Sequence, residues 1–181
     1  MGCGKSSVGR ELSQLLCCPF MDLDQVIEER EGRSIPEIFS RDGEPEFRRI
    51  ELEALKHIVG ERPSLVLALG GGAVMRAECA EIVHSDTICI YLRASVNTLM
   101  EHLSGKTDNR PLLSQKHSLN ETSTRHCEES EGRRGNLELE TRIKDLMALR
   151  SATYENTAHI IIDTDGKSIE AIASEIISRL G

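Results

Sequence analysis

The chain has 181 residues, 39% hydrophobic and 29% charged, which suits a single α/β-sized domain, residues 1–181, with a core of its own. A formal net charge of -8 and the absence of tryptophan argue against nucleic acid as the main partner, whether through its backbone or through stacked bases. No apolar run approaches the ~20 residues that span a bilayer and no signal-peptide pattern is present, so a cytoplasmic protein without a membrane partner is expected.

The chain opens MGCGKSSVGR. Gly4-Lys5-Ser6 is the close of the phosphate-binding pattern G-x-x-x-x-G-K-[ST], whose first glycine would lie two places ahead of Met1. A turn of this kind, here Gly2, Cys3, Gly4, Lys5, Ser6 and Ser7, points backbone N–H groups at phosphate oxygens. Lys5 adds a point charge, and the Ser6 hydroxyl can ligate magnesium. The same letters fit the myristoylation pattern M-G-x-x-x-[ST]. A helix beginning at Ser6, with Leu12, Leu15 and Leu16 at helical spacing, favours the phosphate loop.

PFMDLD follows as a short strand. Asp22 and Asp24, two apart, are expected on one face of its end, where paired carboxylates could organise a magnesium shell and take a proton from a hydroxyl. One of them could equally be a helix N-cap. Gln25–Glu31 reads as a helix stopped at Gly32, SIPEIF as the start of another, and Glu46–Val59 as a longer one. Arg48 and Arg49 lie in that last helix, and spacing alone does not separate a working arginine from a solvated one.

LVLALGGGAV is a buried strand running into Gly70, Gly71 and Gly72. Three glycines at the carboxyl end of a strand let backbone approach a ligand closely. TICIYLR and AHIIIDT read as two more buried strands, and Ser168–Leu180 as the closing helix. Continuous apolar strands among amphipathic helices predict a parallel sheet covered on both faces. Between them, Ser114–Gly135 is polar and reads as an exposed loop after NRPLL, with Arg110 at its edge. Arg150 in MALRSATY stands near a helix end. The six cysteines contain no C-x-x-C pair, which speaks against zinc and for free thiols.

Five stretches together resemble the shikimate kinase family: MGCGKSSVGREL, FMDLDQVIEEREGRSIPEIFSRDGEPEFRRIE, LALGGGAV, NRPLL and LMALRSATY, in family order. The resemblance implies a phosphate-loop kinase of the nucleoside-monophosphate-kinase type with strand order 2-3-1-4-5. It implies transfer of the ATP γ-phosphoryl group to the 3-hydroxyl of shikimate, with Mg2+, by a monomer. Lys5 would bind the ATP phosphates, with Ser6 and Asp22 on magnesium. Asp24 would hold the reacting hydroxyl and act as base. Arg48 and Arg150 would clamp the substrate carboxylate beside Gly71 and Gly72, and Arg110 would be the lid arginine over the phosphates. Two departures stand out. The family's first strand, central in its sheet, is absent from this chain, so the strands at Leu65–Leu69 and Ile88–Leu92 are not expected to pair directly. The lid region, about 110–136, is long. A gluconate-type kinase on the same scaffold, or a binding module without turnover, are the alternative readings.

Overall fold

The computed structural model describes residues 3–61, 64–103 and 128–181. Helix α1 (Lys5–Leu15) leads through a turn to strand β1 (Phe20–Asp22) and helix α2 (Leu23–Glu31). Gly32, at φ 63°, ends α2 in the left-handed conformation that a glycine adopts without penalty. Helix α3 (Ile35–Glu61) is entered at Ser34, whose backbone N–H and hydroxyl both donate to Glu37 Oε2 at 2.8 and 2.7 Å. It is two helical limbs joined at Gly43, which is non-helical at φ 81°, with Pro45 just beyond. That break matches the two separate helices read from the sequence.

Strand β2 (Val66–Ala68) runs into the triple glycine and a 3-10 turn (Ala73–Met75). Helix α4 (Ala77–Asp86), strand β3 (Ile90–Arg93), helix α5 (Val96–Leu103), helix α6 (Glu128–Thr157), strand β4 (Ile160–Asp163) and helix α7 (Ile169–Leu180) complete the described chain. Ser168 caps α7 by accepting from the Ala171 N–H at 3.2 Å. Among the described residues no helix is long and apolar enough to cross a membrane.

The start of α6 corrects one expectation. Glu128–Gly135 had been assigned to an exposed loop for its polarity, yet it forms the first two turns of α6. Glutamate and arginine are good helix formers, and glutamates at a helix N-terminus complement its dipole, so polarity did not mean irregular backbone. The remainder of that loop lies outside the described residues, as does Arg110.

All strand pairings are parallel. β1 pairs with β2 in the register Phe20–Val66 to Asp22–Ala68, and β3 pairs with β4 from Ile90–Ile160 to Arg93–Asp163. Strands β2 and β3 share no ladder, in agreement with the expected order. Leu65–Leu69 and Ile88–Leu92 instead line a single cleft of about 2200 Å³, together with Val8 and Leu12 of α1 and Ile172 and Ile176 of α7. One core cluster packs α2, α3 and α4 around Leu23, Ile27, Ile38 and Leu55, all fully buried. A second joins α1 to α7 and β4 through Val8, Leu12, Ile162, Ile172 and Ile176. A third, Ala94, Leu99 and Ile143, seats α5 and α6 against Cys3. The three clusters leave the carboxyl ends of β1 and β2 facing the start of α1.

Candidate active site

Gly4 occupies the N-cap of α1 in the left-handed conformation, φ 76° and ψ 17°, which glycine alone enters at no cost. The helix that follows presents its N-terminal N–H groups and positive dipole end at Lys5, Ser6 and Ser7. Gly9 lets this helix sit close to β1, since a Cβ there would lie 2.6 Å from the Phe20 ring. The phosphate-loop residues Cys3 to Ser7 all line the cleft. Gly2 is outside the described residues.

Ser6 reaches from α1 to β1. Its hydroxyl donates to Asp22 Oδ2 at 2.7 Å, while Asp22 Oδ1 accepts from the Asp24 N–H at 3.2 Å. Asp22 is thus both the N-cap of α2 and the partner of Ser6. The sequence had placed Asp22 and Asp24 on one face of a strand. The strand ends at Asp22, and Asp24 belongs to the first turn of α2, so helix geometry aims its carboxylate at the glycine loop. Burial pushes the Asp24 carboxyl above its ordinary pKa. Lys5 and Arg48 oppose this, and Asp22 and Glu28 reinforce it. A carboxylate so raised is a stronger proton acceptor than one in water, and it stays close to a cation.

Gly70 and Gly72 answer to neighbours and not to unusual dihedrals. A Cβ at Gly70 would stand 2.8 Å from Asp24 Oδ1, and a Cβ at Gly72 would stand 2.6 and 2.8 Å from the Arg48 terminal nitrogens. The loop is bare because a carboxylate and a guanidinium press on it from opposite ends. Between them, the Gly71 carbonyl accepts from Arg150 Nη1 at 3.3 Å and from the Tyr154 hydroxyl.

Arg48 and Arg49, ambiguous in sequence, separate in the fold. Arg49 is exposed and paired on the helix surface with Glu46 and Glu53. Arg48 lines the cleft and is held by Glu51 at 2.8 Å and Glu44 at 3.1 Å, while its carbonyl accepts from Arg76 at 3.2 Å. Glu51 is 1% exposed, and burial pushes its carboxyl up while Arg48 pulls it down. Sequence reasoning missed Glu51 and Tyr154. The signals were present in retrospect: an acid three places after Arg48 and a tyrosine four places after Arg150 each share a helix face with the arginine.

A loop that caps a helix at Gly4-Lys5-Ser6, with a half-buried carboxylate near its lysine and glycine-lined arginines beyond, defines a phosphate-loop kinase of small molecules. A family model described as shikimate kinase matches residues 1–181. The chain is 38% identical over 180 residues to the shikimate kinase of Thermus thermophilus, covering 99% of this chain and 85% of that protein. It is 37% identical to the shikimate kinase of Dictyoglomus turgidum, over 99% of this chain and 92% of the relative. The solved shikimate kinase from Acinetobacter baumannii in complex with shikimate superposes with a TM-score of 0.83 at 32% identity, covering 99% of this chain and 88% of the other. The chain belongs to the shikimate kinase family.

Proposed function

We propose that the cleft at the carboxyl ends of β1 and β2 binds ATP and shikimate and transfers the γ-phosphoryl group to the shikimate 3-hydroxyl. The observation that carries this reading is the convergence of Lys5, Asp24, Arg48, Arg150 and Gly70–Gly72 on one cleft. Lys5 and the N-terminus of α1 hold the phosphates. Asp24 accepts the hydroxyl proton as the new O–P bond forms and the bond to the ADP oxygen breaks. Arg48 and Arg150 come from different helices and flank the glycine loop, where two guanidinium groups suit a planar carboxylate.

Ser6 and Asp22 supply oxygen donors from neighbouring elements, and magnesium commonly takes one or two protein oxygens with the rest from phosphate and water. These two residues fit that role, and the ion would neutralise charge on the phosphates when bound. We assign this work to the cytoplasm and to a monomer. A coupled ADP-release assay tests the reading. Turnover is expected with shikimate and not with gluconate. Preference for gluconate would point to the related kinase, and saturable shikimate binding without turnover would point to a binding module.

A further inference from the structure

The Gly71 carbonyl is shared by two donors from α6, four residues apart and therefore on one face of that helix. Arg150 is the weaker, at 3.3 Å, and among the described residues it forms no ion pair. Tyr154 is fixed by its ring, which packs against Tyr91 with centroids 5.2 Å apart, and it joins the core cluster around α3 and α4. A guanidinium on a long bond to a neutral carbonyl, in a cleft beside a second arginine, is poised to exchange that acceptor for an anion. Leaving would strip the carbonyl of a donor, and a buried acceptor left without one is costly.

We propose that Tyr154 is a positioning residue for the carboxylate subsite, retaining the Gly71 carbonyl when Arg150 turns from it to the substrate. The proposal rests on the reading that Arg150 meets the shikimate carboxylate. Arg150 then pays no penalty for departing, and the middle glycine keeps its place between Asp24 and Arg48. Without the hydroxyl, Arg150 is tied to Gly71 as its remaining donor from α6, and substrate must compete with that bond.

Two measurements test this. Tyr154→Phe keeps the ring and removes the donor. It is expected to raise KM for shikimate about tenfold, with kcat within about twofold and KM for ATP unchanged. Unaltered shikimate KM, or equal rises in both KM values with a lowered Tm, would overturn the proposal, the latter by assigning Tyr154 a purely structural role. The chain has two tyrosines and no tryptophan, so Tyr91→Phe leaves Tyr154 as its one strong intrinsic fluorophore. Shikimate added without ATP should then change the emission saturably, because the guanidinium of Arg150 leaves the side of the Tyr154 hydroxyl, while ATP alone should not. Emission indifferent to shikimate in a variant that binds it would also overturn the proposal. Wild-type turnover of shikimate with unaltered Tyr154→Phe kinetics defeats this proposal alone. A wild-type chain that neither binds nor turns over shikimate defeats the functional reading, and this inference with it.

Discussion

Gly72→Ala is the sharpest test of the carboxylate site. The added methyl would stand 2.6 Å from one Arg48 terminal nitrogen, 2.8 Å from the other and 3.1 Å from the guanidinium carbon. Ordinary contact begins near 3.4 Å, so the guanidinium must retreat by about 1 Å. An unrestrained arginine would simply swing aside, but Arg48 is tied at 2.8 Å to Glu51 and at 3.1 Å to Glu44. A shift of that size takes a charged hydrogen bond out of range, at a cost of ~1.5–3 kcal/mol. The expected result is a roughly 10- to 150-fold rise in KM for shikimate with KM for ATP unchanged, since Lys5 and the α1 N-terminus are untouched. Gly70→Ala is the companion, because its methyl would meet Asp24 Oδ1 at 2.8 Å and should act on kcat. Steady-state kinetics with both substrates varied reads the split. A Gly72→Ala enzyme whose shikimate KM stays within twofold of wild type, at unchanged Tm, would show that Arg48 does not need the position it occupies, and the reasoning would fail.

Other outcomes follow from the same geometry. Arg48→Ala or Arg150→Ala should raise shikimate KM far more than ATP KM, by the ~2–5 kcal/mol typical of a lost partner in a charged contact; equal effects would count against the clamp. Glu51→Ala should lower Tm by roughly 6–12 °C, because it leaves Arg48 half-buried with only Glu44, and thermal melts with Glu51→Gln as the milder control read it. Asp24→Asn should abolish most turnover yet raise Tm by roughly 2–4 °C. Burial raises the folded pKa of Asp24, so the stability it contributes is full below the ordinary aspartate range and is lost as pH rises through the raised value, leaving the ionised form a liability at neutral pH. The acid limb of kcat/KM should lie above the ordinary aspartate range for the same reason, and a limb at or below that range would remove Asp24 as the base. Extending the chain ahead of Met1 by about ten residues that form an apolar strand between β2 and β3 should raise Tm and ATP affinity together, and no change in either would deny that the cleft accepts a strand.

The sequence carried the elements whose signals are local. The Gly4-Lys5-Ser6 turn, the apolar runs at β2, β3 and β4, and the stop at Gly32 depend on a few adjacent residues, and each appears where it was expected. Helix α4 escaped because AECAEIVHSD carries a thin apolar stripe that only packing against α3 and α6 makes meaningful, and α5 escaped because its 8 residues are too few turns to establish a period. The site was legible in its residue types but not in its contacts. Nothing in FRRIE says which arginine turns inward. That is decided by Glu51, buried one turn further along the same helix face, and by the space that Gly72 leaves. Asp24 was read onto a strand because period-two spacing cannot see a strand end at the preceding residue.

The distribution of the site over the fold ties its chemistry to its packing. Asp24, Arg48 and the glycine loop all rest on the cluster formed by α2, α3 and α4, and their mutual distances are set within one rigid unit. Lys5 and Ser6 ride on α1, which is anchored to α7 through Val8, Leu12, Ile172 and Ile176 and packs beside Val66 of β2. Arg150 and Tyr154 ride on α6, which is seated against α5 through Leu99 and Ile143 and meets the α2–α4 cluster through Tyr154. The residues proposed to hold the phosphates, the reacting hydroxyl and one side of the substrate carboxylate thus stand on three clusters that meet at the cleft. Among the described residues, direct polar links between them include Ser6 to Asp22, which ties α1 to the α2–α4 cluster, and the Gly71 and Thr157 carbonyls, which tie α6 to it through Arg150, Tyr154 and His84. Such links can be exchanged for ligand contacts without disturbing a core. Substrates that bridge the cleft replace protein–protein bonds with protein–ligand bonds, so binding should draw the three units together at the point where phosphate and hydroxyl must come into line.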